Sequence, residues 1–214
     1  MVNQESASAG IPGTCVIFVI SAPSGAGKTS VLHRVLEYHP ELVFSVSVTT
    51  RQPRGNERDG IDYHFVNDEL FDEYIRKEEF VEWAVVHGCR YGTLKREVQA
   101  ALDKGRSVIM DTDTVGAFAI KKHYPEAVLI FITVPSPEIL DDRLRKRDTE
   151  SPERLEKRLS AVPKEIAKMK DYNYIVVNDI LDSAVLRLHS IIEAEKLRSG
   201  RVVLTLAEWR KYLG

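Results

Sequence analysis

Residues 22 to 29 read Ala22-Pro23-Ser24-Gly25-Ala26-Gly27-Lys28-Thr29, and they follow the apolar run Cys15-Val16-Ile17-Phe18-Val19-Ile20 with only Ser21 between. A buried strand that ends in a glycine-rich loop and opens a helix constrains the fold more than any other feature of this chain. It points several backbone N–H groups at one spot, where the helix dipole also favours an anion. Lys28 adds a mobile positive charge for outer phosphates, and Thr29 offers a hydroxyl in the position that ligates Mg2+ in such loops. The pattern G-x-x-x-x-G-K-[ST] is missed only at its first position, where Ala22 stands. Gly25 and Gly27 keep close backbone approach possible. After Ser30, the positions Val31, Leu32, Val35 and Leu36 give the following helix one apolar face. A plain glycine turn is the other reading, but strand, loop and helix come in the order the motif requires. Residues Ala22 to Ser30 therefore predict nucleoside triphosphate binding, without naming the acceptor of the phosphate.

The chain has 214 residues, enough for one good core with inserted subdomains. Thirty basic against thirty-two acidic side chains leave a formal charge of −2, so the molecule as a whole has no electrostatic footprint for nucleic acid or an anionic membrane. Two cysteines, Cys15 in an apolar run and Cys89 far from it, suggest neither a disulfide framework nor a thiolate metal site, which fits a reducing cytoplasm. Residues 1–13 are small and polar and are read as a loose tail rather than a signal peptide. No segment approaches the ~20 apolar residues that span a bilayer.

Further apolar runs at Ser107–Met110, Ala127–Val134 and Tyr174–Val177 read as strands buried on both faces, alternating with helical patterns. That alternation predicts an α/β fold with a central parallel sheet wrapped by helices in three layers. Ser136-Pro137-Glu138 and Ser151-Pro152-Glu153 each supply a cap, a proline at the first helical position and an early acid. Gly105 is expected to close a helix over Leu94–Lys104. Between Ser47 and Arg96 the rhythm changes to Val46/Val48 alternation, a charged turn from Arg54 to Gly60, and Tyr63-His64-Phe65-Val66, which predicts an inserted, partly antiparallel subdomain. The charge-rich stretch Asp141–Lys170 suits a pair of hinged helices, with Leu155, Leu159, Val162, Ile166 and Met169 as an apolar seam. Pro163 predicts a kink or break in the second of them.

Ser47-Val48-Thr49-Thr50-Arg51-Gln52-Pro53-Arg54, together with Tyr63, Glu82-Trp83 and Tyr91-Gly92-Thr93, closely resembles guanylate kinases, and the resemblance runs from the phosphate loop to Val176-Val177-Asn178-Asp179. It implies a P-loop core over 14–46, 97–138 and 171–198, a mixed-β GMP-binding subdomain over 47–96, a helical lid over 139–170 and a C-terminal extension over 199–214. Arg51, Arg54, Tyr63 and Tyr91 are the implied set for the acceptor's phosphate. Guanidinium groups can clamp a dianion by charge-assisted bonds, with the phenols assisting. A solvated turn and half-buried tyrosines are the alternative for each alone. Base choice falls to Glu82, Ser47 and Thr93. Guanine presents N1–H and N2–H2 as adjacent donors that a carboxylate accepts together, whereas adenine would leave that carboxylate unpaired. Such a site rejects the wrong partner by roughly 10^4 to 10^5.

Asp111 ends the run Val108-Ile109-Met110, at the carboxyl end of a strand, where open α/β sheets place ligands. The resemblance puts Asp111, with Thr29, near Mg2+, and Asp113 near the acceptor nucleotide, although Thr114-Val115 before Gly116 departs from the family pattern. A helix cap is the other reading for either acid. Arg143, Arg147 and Arg158 fit the arginines of a closing lid, which with Lys28 and Arg51 would compensate charge during transfer, and a solvated helix charge is the alternative for each. Asp148 and Pro163 are departures that bear on closure. Asn178 matches the family position near the adenine of ATP, and a turn cap explains it as well. The six histidines lack metal spacing. The expectation is an enzyme that moves phosphate from ATP to GMP with Mg2+, binding these small molecules and neither nucleic acid nor membrane. The rival is a guanylate-kinase-like module that holds a phosphorylated protein. Oligomeric state stays open.

Overall fold

The computed structural model describes residues 15–86, 88–145 and 152–201, apart from the side chains at 152–155, 157 and 158. The expected tail and most of the C-terminal extension lie outside these residues. From the N-terminus the elements are β1 (Ile17–Ser21), α1 (Lys28–Tyr38), β2 (Val43–Phe44), β3 (Val48–Thr49), β4 (His64–Phe65) and α2 (Asp68–Arg76). Next come β5 (Phe80–Val86), β6 (Cys89–Leu94), α3 (Lys95–Asp103), β7 (Val108–Asp111) and α4 (Thr114–His123). The last are β8 (Val128–Thr133), α5 (Pro137–Arg145), α6 (Pro152–Ala167), β9 (Tyr174–Val177) and α7 (Leu181–Lys196).

Five strands form one parallel sheet in the order β2-β7-β1-β8-β9. Along β1 the residues divide by period two: Phe18 and Ile20 pack into one apolar cluster, Ile17 and Val19 into another. That double burial is why the strand reads as a continuous apolar run. The first cluster takes Val31, Leu32 and Val35 of α1 with Ala184, Val185 and Leu188 of α7. The second takes Val98 of α3 with Ala117 and Ile120 of α4. The fold is thus three layers, helices on both faces of a parallel sheet, as the alternation of patterns predicts. The two-residue β2 has no signal of its own in the sequence. It is held at the sheet edge by Val43 and Phe44 lying beside Val108 and Ile109.

The segment with the altered rhythm builds a separate four-stranded sheet, β4-β3-β6-β5, in which β3 pairs with β6, and β6 with β5, antiparallel. Phe71 of α2 and Phe80 of β5 stack at 4.6 Å over Val48 and Leu94 and give it a core of its own. Gly105, at φ 69°, ends α3 with Gly105 N–H donating to Leu102 O and Arg106 N–H to Ala101 O, the helix stop that the sequence implies.

The break expected at Pro163 is absent: α6 runs through it. Leu159 and Val162 dock on Ala26, Val134, Leu140 and Leu144, while Ile166 docks on the cluster under α3 and α4. Apolar contacts on both sides of the proline offset the one backbone bond it removes. Away from the loop, α1 and α7 are joined where His39 meets His189 at 2.9 Å and Glu41 at 3.0 Å. His39, Glu41 and Glu193 form a possible cation-binding group, but the Lys196 ammonium already bonds both carboxylates there. Among the described residues no helix is long and apolar enough to cross a membrane.

Candidate active site

The glycine loop leaves the carboxyl end of β1 and turns into α1 through Gly27, whose φ of 85° and ψ of 21° lie in the left-handed region. Among the described residues no side chain caps α1, so the first N–H groups of the helix stay directed into the loop. A Cβ on Gly27 would lie 2.4 Å from Asn178 Nδ2, so both the backbone angle and the packing demand glycine. A Cβ on Gly25, also at φ 85°, would lie 2.9 Å from Leu144 Cγ and 3.4 Å from Leu140 Cδ1 of α5. Asn178 Nδ2 donates to Ala26 O at 2.7 Å, and Arg143 Nη2 donates to Asn178 O at 3.1 Å. Asn178 is buried and Arg143 is tied to its backbone, so both brace the rear of the loop.

Strand register brings the acids to the loop. Ile20 of β1 lies beside Asp111 of β7, which places that carboxylate one residue from the start of the loop. Lys28 Nζ reaches Asp111 Oδ2 at 3.1 Å. Asp113 caps α4, its Oδ1 accepting from the N–H groups of Val115 at 2.8 Å and Gly116 at 2.7 Å. The cap reading of Asp113 is therefore realised in one oxygen, at the rim of the cleft.

From the mixed sheet, β5 and β6 supply the opposing wall. Glu82 stands across from Thr93 in the antiparallel register, next to an irregularity after Phe80, and Thr93 Oγ1 donates to Glu82 Oε1 at 2.8 Å. Glu82 is only 9% exposed. Burial pushes its carboxyl up to about 7, Thr93 opposes that rise and the nearby charge of Asp113 adds to it. Tyr63 and Tyr91 meet edge to face at 5.9 Å, and burial, with Asp111 next, pushes the Tyr63 phenol above its ordinary range.

Arg51 lies against these tyrosines. Its Nε donates to Tyr91 Oη at 3.3 Å and its guanidinium sits 5.2 Å from the Tyr63 ring centre. Nη1 donates to Glu57 Oε2 at 2.8 Å and to Gln52 O at 2.7 Å, and Nη2 to Glu57 Oε1 at 2.9 Å. The fork to Glu57 raises the Arg51 pKa above its ordinary value and leaves one of its five N–H groups for another acceptor.

One cleft of about 280 Å3 gathers Ala22, Pro23, Ser24, Gly25, Gly27, Lys28 and Thr29 with Ser47, Tyr63, Glu82, Tyr91, Asp111 and Asp113. Thr93 stands behind Glu82, and Ala26 is buried beneath the loop. Ser30 and Arg54 are exposed, and Arg54 contacts Glu57 through its backbone N–H. Arg147 and Asp148 lie outside the described residues, as does the Arg158 side chain. Glu165 of α6, which sequence reasoning passed over, also lines the cleft, and burial and then Asp113 push its carboxyl up. Its signal was an acid three residues after Val162 and beside Ile166, on the apolar seam of its helix. Thr112 and Val86 complete the lining, without any pattern in the sequence to mark them. Thr29 and Asp111 offer hard oxygen donors on this one cleft, a set that suits Mg2+.

The sequence model of the guanylate kinase family matches residues 15–195. The guanylate kinase of Anaeromyxobacter dehalogenans is 45% identical over 204 residues, covering 94% of this chain and 89% of that protein. The guanylate kinase of Myxococcus xanthus is 46% identical over 188 residues, covering 87% and 90%. The crystal structure of guanylate kinase from Anaplasma phagocytophilum superposes with a TM-score of 0.74 at 33% identity, over 89% of this chain and 92% of that one. With a family match over most of its length and relatives this similar, the chain belongs to the guanylate kinase family.

Proposed function

We propose that this chain transfers the terminal phosphoryl group of ATP to GMP, producing ADP and GDP. The observation that carries this reading is the shared cleft: the phosphate loop and the Glu82 carboxylate open on one space, so a donor triphosphate and a guanine-reading acid face each other. In this reading the mixed sheet over 47–96 holds GMP, the helices over 139–170 act as the lid, and the parallel-sheet body holds ATP.

The donor's phosphates lie on the loop N–H groups and the uncapped start of α1, and Lys28 exchanges Asp111 for them. Glu82 accepts N1–H and N2–H2 of guanine, held by Thr93, while the Ser47 hydroxyl donates to O6 and Asp113 borders the base. Arg51, Tyr63 and Tyr91 take the acceptor's phosphate, with Arg54 as the second cation. Because Glu57 holds most of the Arg51 fork, full engagement of that phosphate requires Glu57 to give way. Thr29 and Asp111 are the residues that would hold Mg2+, which when bound offsets charge on the transferring phosphates. The lid arginines Arg143, Arg147 and Arg158 are assigned the remaining charge compensation. Phosphoryl transfer of this kind is carried by positioning and charge, so no general base is assigned. Thermodynamically, a module that only held a phosphoprotein would gain nothing from Lys28, Thr29 and an uncapped α1.

Purified protein assayed for ATP consumption with GMP, AMP, UMP, CMP and dTMP in turn tests the proposal, with Lys28→Ala as the control for contaminating kinase. Turnover with GMP, abolished in the control, is expected. Absence of turnover with all five, despite tight GMP binding, would refute it.

A further inference from the structure

Glycine within a helix is less favourable than alanine, and a backbone at positive φ is the usual reason to keep it. Gly116, in the first turn of α4, is not among the glycines at positive φ, yet it is buried. Close packing is the reason instead. A methyl group on Gly116 would stand 2.7 Å from Glu82 Oε2, 3.1 Å from Glu82 Cδ and 2.2 Å from Thr112 Oγ1, where contacts under 3.0 Å are essentially never made by real Cβ atoms. The same residue donates its N–H to Asp113 Oδ1 at 2.7 Å. One glycine therefore borders both carboxylates at this end of the cleft: its N–H bonds Asp113, and its missing side chain leaves the space that Glu82 Oε2 occupies. The other oxygen of Glu82 is fixed from β6 by Thr93.

We propose that Gly116 is a positioning residue for guanine selectivity: its missing side chain lets the Glu82 carboxylate seat against the first turn of α4, in the plane that accepts N1–H and the 2-amino group together. The inference rests on the GMP reading above. A carboxylate displaced by a methyl group keeps one of these bonds at best. The lost bond is the one that separates guanine from hypoxanthine, which has N1–H but no 2-amino group.

The test is the ratio of kcat/KM for GMP to that for inosine monophosphate, with the KM for ATP measured alongside. In Gly116→Ala the ratio falls at least tenfold while the KM for ATP stays within twofold. Thr112→Ala/Gly116→Ala removes the shorter contact and leaves the one with Glu82, so it carries the same expectation even where the single variant folds poorly. An unchanged ratio in either folded variant overturns the proposal. So does a ratio restored in the double variant, since Thr112 alone would then be the obstacle. If thermal melts show that neither variant folds, Gly116 is a packing residue and the proposal falls. A wild type that turns over GMP but does not prefer it to inosine monophosphate also overturns it. A wild type with no GMP turnover instead refutes the parent reading.

Discussion

Glu82 gives the sharpest handle on the base site because its protonation and its proposed task conflict. Burial holds the carboxyl at about 7, whereas accepting two guanine donors requires the anion. Such a group is roughly one tenth ionised at pH 6 and roughly nine tenths at pH 8. Affinity scales with the competent fraction, so GMP binds about tenfold more tightly at pH 8 than at pH 6, with a proton released on binding. The acceptor's own phosphate also titrates near 6, and Glu82→Gln isolates it by keeping the phosphate and removing the carboxyl. Calorimetry of GMP binding at pH 6, 7 and 8, in two buffers of different ionisation enthalpy, measures both quantities. The linked effect on stability has a definite sign. A carboxyl raised from 4.5 to about 7 holds its proton better in the folded state, so stability falls as pH rises between those values. The full span is roughly 3 kcal/mol, and Glu82→Gln removes it from urea-denaturation curves. A pH dependence of GMP affinity identical in wild type and Glu82→Gln would show that the Glu82 carboxyl does not titrate with GMP binding.

Four substitutions probe the rest of the site. Thr93→Val deletes the donor to Glu82 and costs about 1 kcal/mol of GMP affinity near neutral pH, read by calorimetry. Asn178→Ala strips the Ala26 carbonyl of its partner, lowers stability in urea by about 1–3 kcal/mol and raises the KM for ATP more than that for GMP. Gly27→Ala, strained at φ 85° and pressed against Asn178, abolishes ATP binding but leaves GMP binding measurable by titration. Arg51→Lys cannot make the fork to Glu57 or reach Tyr91 at the same time, and its KM for GMP rises about tenfold or more at an unchanged KM for ATP.

Much of this architecture is written locally. Both faces of β1, β7 and β8 pack against helices, so each shows as an unbroken apolar run, and the phosphate loop carries its own punctuation. The apolar run Tyr174–Val177 reads the same way but is not buried on both faces: β9 is an edge strand, with Val176 in the core and Ile175 47% exposed. Capping chemistry marks α5, and Gly105 marks the end of α3. The proposed base site is different in kind. Glu82 and Thr93 lie eleven residues apart and meet only through the β5–β6 register, which no spacing rule specifies, so the family resemblance had to nominate them. Asn178 could be placed at a turn, but its bond to the loop depends on β9 and β1 lying on either side of β8. Gly116 meets Glu82, and Glu165 reaches the cleft, only through the fold, and a sequence records only neighbours along the chain. Pro163 shows the converse: its local preference is plain, and the packing of Leu159, Val162 and Ile166 overrides it.

Both halves of the proposed transfer are visible at once in 31P NMR of ATP, equimolar GMP and Mg2+ with a catalytic amount of the protein, run beside Lys28→Ala. Resonances of ADP and GDP are expected to grow in equal amounts at the expense of ATP and GMP, with no inorganic phosphate and no change in the variant. ADP accompanied by inorganic phosphate, with GMP untouched, would contradict the proposed transfer.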